Sequence, residues 1–288
     1  MVASITRRLY SSNSLLSITL LLAVSPVAVV AQDIRPDAST TTPFLPNFVR
    51  TTSTVPANGD VNPYGVAFIP TGFPGTTVRP GDILVSNFNN SQNLQGTGTT
   101  IVRITHGDFR QSLFFQGKAP LGLSTALAAL PEGLVIVGNF PSTDGTCPNA
   151  TAGSLLVISS AGKLLQTITD KTIDGPWDMT VNDPGNGTAQ AFVTNGLNGT
   201  VVRLDMNVSA SGVTVKKATQ IASGYKFQCD SVSFVDAPTG LAYDATTGNL
   251  YVASTVDNAI YRIASAGTLT SDGGTGTQIV SEIGRAHV

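Results

Sequence analysis

The sequence predicts an all-β fold built from a repeated unit of short strands. Only 12% of the residues are charged, whereas the chain contains 29 glycines and 16 prolines. Long blocks of helix-favouring residues are almost absent, a balance typical of short strands and tight turns. A phrase that starts with proline, and reads Pro-x-Gly in three of its four copies, also recurs along the chain, each time followed by two apolar strands. Together these observations favour a repeat architecture made of strands.

The spacing of the phrase predicts the kind of repeat. Its four copies begin at Pro63, Pro120, Pro176 and Pro238, at intervals of 57, 56 and 62 residues. A period in this range, with three or four strands per unit, is typical of β-propeller blades. A β-sandwich is the structural alternative, but it would not require a repeated strand phrase. We therefore predict a β-propeller of four-stranded blades.

Each unit supplies three strands and a candidate fourth, taken here in chain order. The first blade is predicted over residues 61–117, with strands at 63–68, 82–87, 101–104 and 109–115. The second covers 118–173, with strands at 120–123, 133–139, 154–158 and 164–169. The third covers 174–235, with strands at 176–179, 190–195, 200–204 and 213–221. The fourth covers 236–281, with strands at 238–243, 249–254, 259–263 and 277–283.

The repeated phrase resembles the NHL repeat family of β-propellers. In the fourth unit it reads Pro-Thr-Gly-Leu-Ala, then Leu-Tyr-Val-Ala, then Asn-Ala-Ile-Tyr-Arg-Ile. The second unit departs from the pattern, with Val157 where the others carry Arg103, Arg203 and Arg262. The acidic residue common after the second strand is replaced by asparagine or serine. The resemblance implies a propeller used for binding and implies no particular reaction.

The N-terminus has the pattern of a signal peptide over residues 1–31. Arg7 and Arg8 precede an apolar run, and Val29-Val30-Ala31 supplies small residues for cleavage. The run is shorter than the roughly 20 apolar residues that a membrane span needs. We therefore expect a secreted, extracellular or periplasmic protein with no membrane span after cleavage. Residues 32–60, rich in Thr and Pro, are interpreted as a flexible lead.

The C-terminal residues suggest that the sequence is truncated. Residues 282–288 (Glu-Ile-Gly-Arg-Ala-His-Val) match the in-frame translation of a common sequencing adapter. Propeller rings usually carry more than four blades, because closure removes free sheet edges. We therefore expect an incomplete ring here and six blades in a full-length chain.

The loops between second and third strands are predicted to share one end of the propeller with the loops that join one blade to the next, and the long loops gather at that end. They comprise residues 87–100, 139–153 and 223–237. Long loops gathered on one face usually mark a binding surface, although decorative surface loops are the alternative. The candidate binding residues are Asn87, Asn139, Asn195, Asp178, Tyr225 and Lys226.

The three asparagines end equivalent strands, which leaves two roles open for them. Their amide oxygens could face a channel mouth and bind calcium, but calcium usually requires several carboxylates, and Asp178 is the one well-placed acid. Asparagine at a strand end is otherwise a turn former. Calcium is thus the one cofactor considered, and a calcium-dependent propeller hydrolase, of the lactonase or esterase type, is the alternative to a binding module.

No catalytic residues are predicted. The sequence has no Gly-x-Ser-x-Gly elbow, and His106 lies beside Gly107 and Asp108, where a turn is expected. The repeated arginines Arg103, Arg203 and Arg262 could line a ligand site, but pairing with a nearby acid or carbonyl is their more ordinary use. We interpret the chain as a binding or interaction module for an unidentified protein, glycan or small molecule.

Three further features bear on partners and on the compartment. A net charge of −2 without any Lys/Arg run argues against nucleic-acid binding. Cys147 and Cys229 lie in two of the long loops and could form a disulfide after export. Five Asn-x-Ser/Thr sequons are candidates for glycosylation in a eukaryotic secretory chain; they begin at Asn89, Asn149, Asn186, Asn198 and Asn207.

Overall fold

The structure is a computed structural model that describes residues 49–283. These residues form eighteen strands and one short 3₁₀ helix, Cys147–Asn149. The predicted signal peptide, most of the Thr/Pro-rich lead and residues 284–288 of the suspected adapter sequence lie outside the described residues. The lead residues 49–60 contain no strand.

Four sheets of four strands each carry the fold, and a two-stranded hairpin precedes the last of them. Blade 1 contains β1 (Val61–Phe68), β2 (Ile83–Asn89), β3 (Thr100–Ile104) and β4 (Gln111–Gln116). Blade 2 contains β5 (Leu123–Leu130), β6 (Leu134–Asn139), β7 (Ser154–Ser159) and β8 (Leu164–Ile168). Blade 3 contains β9 (Pro176–Asn182), β10 (Thr188–Asn195), β11 (Thr200–Ser209) and β12 (Gly212–Ala222). The hairpin is β13 (Gln228–Asp230) and β14 (Phe234–Asp236), and blade 4 contains β15 (Pro238–Asp244), β16 (Asn249–Ser254), β17 (Ala259–Ile263) and β18 (Thr277–Ser281).

Every blade is an antiparallel meander whose strands pair in sequence order. The second strands of the inner blades read as nearly continuous apolar runs, because both of their faces are covered by neighbouring blades. All six residues of β6, Leu-Val-Ile-Val-Gly-Asn, are buried. Apolar runs bounded by turn residues are the expected pattern for strands buried on both faces.

The blades are held face to face by apolar clusters that each draw on two neighbours. Leu84 and Ile101 of blade 1 pack with Leu123 and Val137 of blade 2. A second cluster joins blades 2 and 3 and includes Val157, which stands where the other units carry arginine. A third joins Phe192 and Val201 of blade 3 to Leu250 and Val252 of blade 4.

The first strands of successive blades lie side by side, and serine side chains link neighbouring blades. The pairs β1 and β5, β5 and β9, and β9 and β15 are in contact. Ser86 Oγ donates to Ser124 O at 2.9 Å, and Ser124 Oγ donates to Pro176 O at 2.7 Å. A side chain at Gly65 would not fit this approach, since a Cβ there would lie 2.6 Å from Ser86 Oγ. The sheets are therefore arranged as propeller blades, as the sequence predicts.

Two local features differ from the sequence predictions. In blade 2 the first strand was expected at residues 120–123, but β5 begins at Leu123 and continues to Leu130. The region 223–237, expected to be loop, contains the β13–β14 hairpin. The candidate fourth strands are confirmed within a few residues, as β4, β8, β12 and β18.

Candidate functional site: the long-loop face

Three long connections meet at one end of the blades, and we call the surface they form the long-loop face. They are residues 90–99, between β2 and β3, residues 140–153, between β6 and β7, and residues 223–237, between β12 and β15. Ser142 N donates to Gly96 O at 2.8 Å, joining the first to the second. Gln95 Nε2 donates to Val232 O at 3.2 Å, joining the first to the third. The three connections thus form one continuous surface.

A disulfide joins the second connection to the third. Cys147, in the 3₁₀ helix, is bonded to Cys229 in β13, with a Cα–Cα distance of 5.4 Å. The hairpin turn is closed by Asp230, whose Oδ1 accepts hydrogen bonds from Val232 N and Ser233 N, both at 2.7 Å. The disulfide attaches the short β13–β14 hairpin to blade 2.

Aromatic rings fill the space beneath these connections. Tyr64, Phe88, Phe140, Trp177 and Phe234 contact one another with ring centroids 4.9–6.2 Å apart. Most pairs are edge-to-face, a favourable geometry for aromatic rings. Phe234 has a φ of 71°, which is strained for a bulky residue. Burial of its ring among the other aromatics offsets that cost and fixes the hairpin over the inner strands.

The predicted asparagines do not converge on one point but each binds the segment that enters its own blade. Asn195 Nδ2 donates to Thr172 O at 2.7 Å, and its Oδ1 accepts from Asp174 N at 2.9 Å. Asn139 Oδ1 accepts from Gly122 N at 2.9 Å in the same manner. Two of the three amide oxygens therefore already accept a backbone N–H.

Asn87 repeats the arrangement with one bond missing. Its Nδ2 donates to Thr54 O at 2.9 Å, as Asn195 does to Thr172 O, but its buried Oδ1 has no hydrogen-bond partner. The segments align so that Pro56 stands where Asp174 stands in blade 3. Since proline has no backbone N–H, it cannot supply the missing donor.

Asp178 lies on β9, at the contact between blades 3 and 4. Its Oδ2 accepts a hydrogen bond from Leu241 N of β15 at 2.8 Å. Burial raises the pKa of the Asp178 carboxyl to about 6, and the bond from Leu241 N opposes that shift only in part. Among residues 49–283, no three or more His, Cys, Asp or Glu side chains are grouped so as to hold a metal ion.

Tyr225 and Lys226 are adjacent in sequence but have different environments. Tyr225 is 3% exposed, packs in the cluster between blades 3 and 4, and donates from its hydroxyl to Thr275 O at 2.9 Å. Burial raises the pKa of that hydroxyl. The Lys226 side chain is largely exposed, and its Nζ lies 3.4 Å from Asp257 Oδ1. Of the two, only Lys226 is open to a partner.

An uncharged cleft of about 400 Å³ opens on the long-loop face. It is lined by Asn62, Tyr64, Asn89, Asn93, Gln95 and Val232. Asn89 organises it, since its Oδ1 accepts from Asn62 Nδ2 at 3.1 Å and its Nδ2 donates to Asn93 Oδ1 at 2.8 Å. Among these residues the sequence points only to Asn89, as a sequon. The density of Asn and Gln between residues 87 and 95 was the available signal.

The other residues that the sequence brought forward also have local partners. His106 lies exposed in the β3–β4 turn, where its backbone N donates to Asp82 Oδ1 at 2.9 Å. Arg103 pairs with Asp82 at 2.6 Å within blade 1. Arg203 binds Asp205 and also the carbonyl oxygens of Ala266 and Leu269 in blade 4. Arg103 and Arg203 thus pair with acids and carbonyls, the more ordinary of the two uses.

The fold and this loop arrangement define the class of the protein as a β-propeller. No protein-family model matches the chain, and no curated protein matches it. Within residues 49–283, the structure contains no helix that is both long and apolar enough to span a bilayer.

Solved structures with a similar fold come from functionally different proteins. A chain of a nidogen/laminin complex is 11% identical over 74% of this chain, with a TM-score of 0.46. A putative oxidoreductase (glucose dehydrogenase) from Thermus thermophilus is 15% identical over 78% of it, with a TM-score of 0.43. The C-terminal WD40 domain of Sif2 is 11% identical over 81% of it, with a TM-score of 0.40. This chain covers 64%, 66% and 64% of those chains, respectively, and the likenesses concern the fold alone.

Proposed function

We propose that the chain is an exported β-propeller of NHL-like repeats that binds a partner through the long-loop face. The observation that carries the proposal is the fastening of three separate connections into one surface by the Cys147–Cys229 bond and the aromatic cluster. Loops held in one conformation lose little entropy when a ligand binds, which favours affinity. Purely decorative loops would need no such fastening.

The composition of the surface supports binding of an uncharged partner, or of one that presents both apolar and polar groups. Val232 is 84% exposed at the hairpin tip and Phe227 is 48% exposed nearby. The uncharged cleft lies beside Val232 and offers amide donors and acceptors. The partner is a protein, a glycan or a small molecule, and the absence of any Lys/Arg run in the sequence does not favour a nucleic acid.

Export is supported by two independent features. The N-terminal residues have the pattern of a signal peptide. The disulfide also suits an oxidising compartment, because such bonds are rare in reducing cytosol. We infer that the mature chain works outside the cell or in the periplasm.

A binding screen with two matched variants tests the proposal. The purified chain is screened against a glycan array and a library of extracellular protein domains. Each binder is then measured with Val232→Asp, on the long-loop face, and Thr214→Asp, which adds the same charge on the exposed β12 strand. We expect Val232→Asp to weaken binding by at least about tenfold and Thr214→Asp to leave it unchanged. The reverse pattern would place the binding site away from the long-loop face.

A calcium-dependent hydrolase remains the alternative function, and a melting experiment separates it from a binding module. Thermal unfolding is recorded with added calcium and with EDTA, since a ligand that binds only the folded state raises the melting temperature. A binding module without a metal site is expected to melt at the same temperature in both. A large upward shift with calcium would favour the hydrolase.

A further inference from the structure

The five sequons fall into two groups at opposite ends of the blades. Asn89, Asn149 and Asn198 lie in or beside connections at the end that carries the long-loop face. Asn186 lies in the β9–β10 turn and Asn207 lies near the end of β11, both at the other end of blade 3. The two groups also differ in what their side-chain nitrogens do.

At the loop end, each sequon nitrogen is used within the protein. Asn89 Nδ2 donates to Asn93 Oδ1 at 2.8 Å, Asn149 Nδ2 to Asp144 Oδ2 at 2.7 Å, and Asn198 Nδ2 to Asp174 Oδ2 at 3.1 Å. Asn89 is also only 2% exposed. A sugar on Nδ2 replaces one N–H and needs open space beside the nitrogen. The folded loop end therefore disfavours glycans, most strongly at Asn89.

At the other end, the nitrogens are available. Asn186 and Asn207 are both exposed, and neither Nδ2 donates a hydrogen bond to any residue in the described part of the chain. In the Asn186 sequon, Oδ1 accepts from Thr188 N at 3.1 Å and Thr188 Oγ1 at 2.6 Å, which leaves Nδ2 as the free end of the amide. Asn207 pairs with Thr188 across the β10–β11 ladder, so the two sequons are neighbours.

We propose that Asn186 and Asn207 are N-glycosylation sites, and that they confine glycans to the end of blade 3 opposite the long-loop face. The donor is an oligosaccharide linked to a lipid diphosphate. The Asn Nδ2 bonds to the anomeric carbon and loses one proton, while the bond from that carbon to the diphosphate oxygen breaks and the lipid diphosphate leaves. The two glycans would cover the surface around Asn182 and Lys216, which lies beside Asn207 and Thr188.

This inference rests on the proposed export, and it adds a constraint on binding. Glycans at Asn89, Asn149 or Asn198 would obstruct the long-loop face. Glycans at Asn186 and Asn207 leave it free and shield the opposite end of blade 3 from partners. The modification thus favours one orientation of the protein towards its partner.

Site occupancy is tested by producing the full chain behind a host secretory leader in a glycosylating cell line. The host leader makes the result independent of export by the chain's own N-terminus, and occupancy is read without any binding partner. Glycopeptides are mapped by mass spectrometry before and after enzymatic removal of N-glycans. The variants are Asn186→Gln, Ser209→Ala, which removes the Asn207 sequon, and the pair combined. Ser91→Ala, which removes the Asn89 sequon, is the matched control.

We expect each single variant to lose one glycan, the double variant to lose two, and Ser91→Ala to lose none. Occupied Asn186 and Asn207 peptides with unmodified Asn89, Asn149 and Asn198 peptides would support the assignment. A glycan at Asn89, Asn149 or Asn198, or the absence of glycans from Asn186 and Asn207, would each overturn it.

Discussion

Asp178 is a carboxyl placed where an uncharged group would be more stable. It lies between two blades and accepts a hydrogen bond from Leu241 N. Burial raises its pKa to about 6 and outweighs the opposing hydrogen bonds from Leu241, Met179 and Thr125. The folded protein therefore holds the Asp178 proton more tightly than the unfolded chain does. Its contribution to stability is complete below about pH 4 and is lost as the pH rises through about 6.

Replacing Asp178 with asparagine should remove this pH dependence. A shift from 3.8 to about 6 corresponds to a change of about 2 kcal/mol in the free energy of unfolding between pH 4.5 and 7.5. Asp178→Asn keeps an acceptor for Leu241 N, so we expect it to be more stable than the original chain at pH 7.5. Urea unfolding at several pH values measures the effect. Burial also raises the pKa of Asp183, which therefore adds a pH dependence of the same sign. The test is the difference between the two proteins in the slope of the free energy of unfolding against pH. Equal slopes would refute this account.

The asparagines that end the second strands should differ in their contribution to stability. Asn195→Ala removes the bonds to Thr172, Asp174 and Thr200, and we expect a loss of about 2–3 kcal/mol. Asn87→Ala removes fewer bonds and also removes a buried oxygen without a partner, so its loss should be about 1 kcal/mol smaller. Chemical unfolding followed by circular dichroism compares the two. Equal losses of stability in the two variants would show that the missing N–H at Pro56, which leaves Asn87 Oδ1 unpaired, does not affect stability.

The β13–β14 hairpin depends on its attachments. A two-stranded hairpin is marginally stable by itself, and each strand here has only three residues. Its two anchors are the disulfide from Cys229 to Cys147 and the ring of Phe234, and both Cys147 and Phe234 belong to one buried cluster with Trp177. Losing the covalent anchor should free the hairpin before any blade unfolds.

The Cys147→Ser/Cys229→Ser double variant tests this dependence. The bond spans 82 residues, and its loss should lower the free energy of unfolding by about 2–4 kcal/mol. Hydrogen exchange should speed up in residues 228–236 while β6 and β7 remain protected. Uniform loss of protection across blade 2 would instead show that the bond supports the blade and not the hairpin.

The sequence predicts the blades better than it predicts the site. Strands such as Asn249–Ser254 repeat a phrase and alternate buried with partly buried residues, so pattern alone finds them. The hairpin strands are too short to show an alternation, and β5 begins at Leu123, after the Pro-x-Gly of its unit, whereas the other first strands include the starting proline. The partners of Asn87 and Asn195 lie up to 33 residues away in sequence, and no local pattern could have shown them. The spacing of the strands was enough to locate the long-loop face but could not show its cleft.

Across the molecule, stability depends on contacts between neighbouring blades. Repeat architectures gain stability from each unit and from each interface with a neighbour. Arg203 shows how a polar residue can serve such an interface. Its guanidinium holds Asp205 in blade 3 and donates to Ala266 O and Leu269 O, at 2.8 and 2.9 Å, in blade 4. Arg103, at the same position in blade 1, pairs only with Asp82 of its own blade among the contacts described.

Arg203→Met should therefore weaken the attachment of blade 4 specifically. The substitution keeps the apolar stem but leaves two carbonyl oxygens at the interface without their donor, and we expect a loss of about 2–3 kcal/mol. Hydrogen exchange should accelerate in β15 to β17, while β1 to β3 keep their protection. Arg103→Met is the matched control, because it breaks a pair inside blade 1 and should leave exchange in blade 4 unchanged. Equal acceleration of hydrogen exchange in all four blades by both variants would contradict this prediction. It would show that the molecule unfolds as one unit and that no interface stabilises its own pair of blades separately.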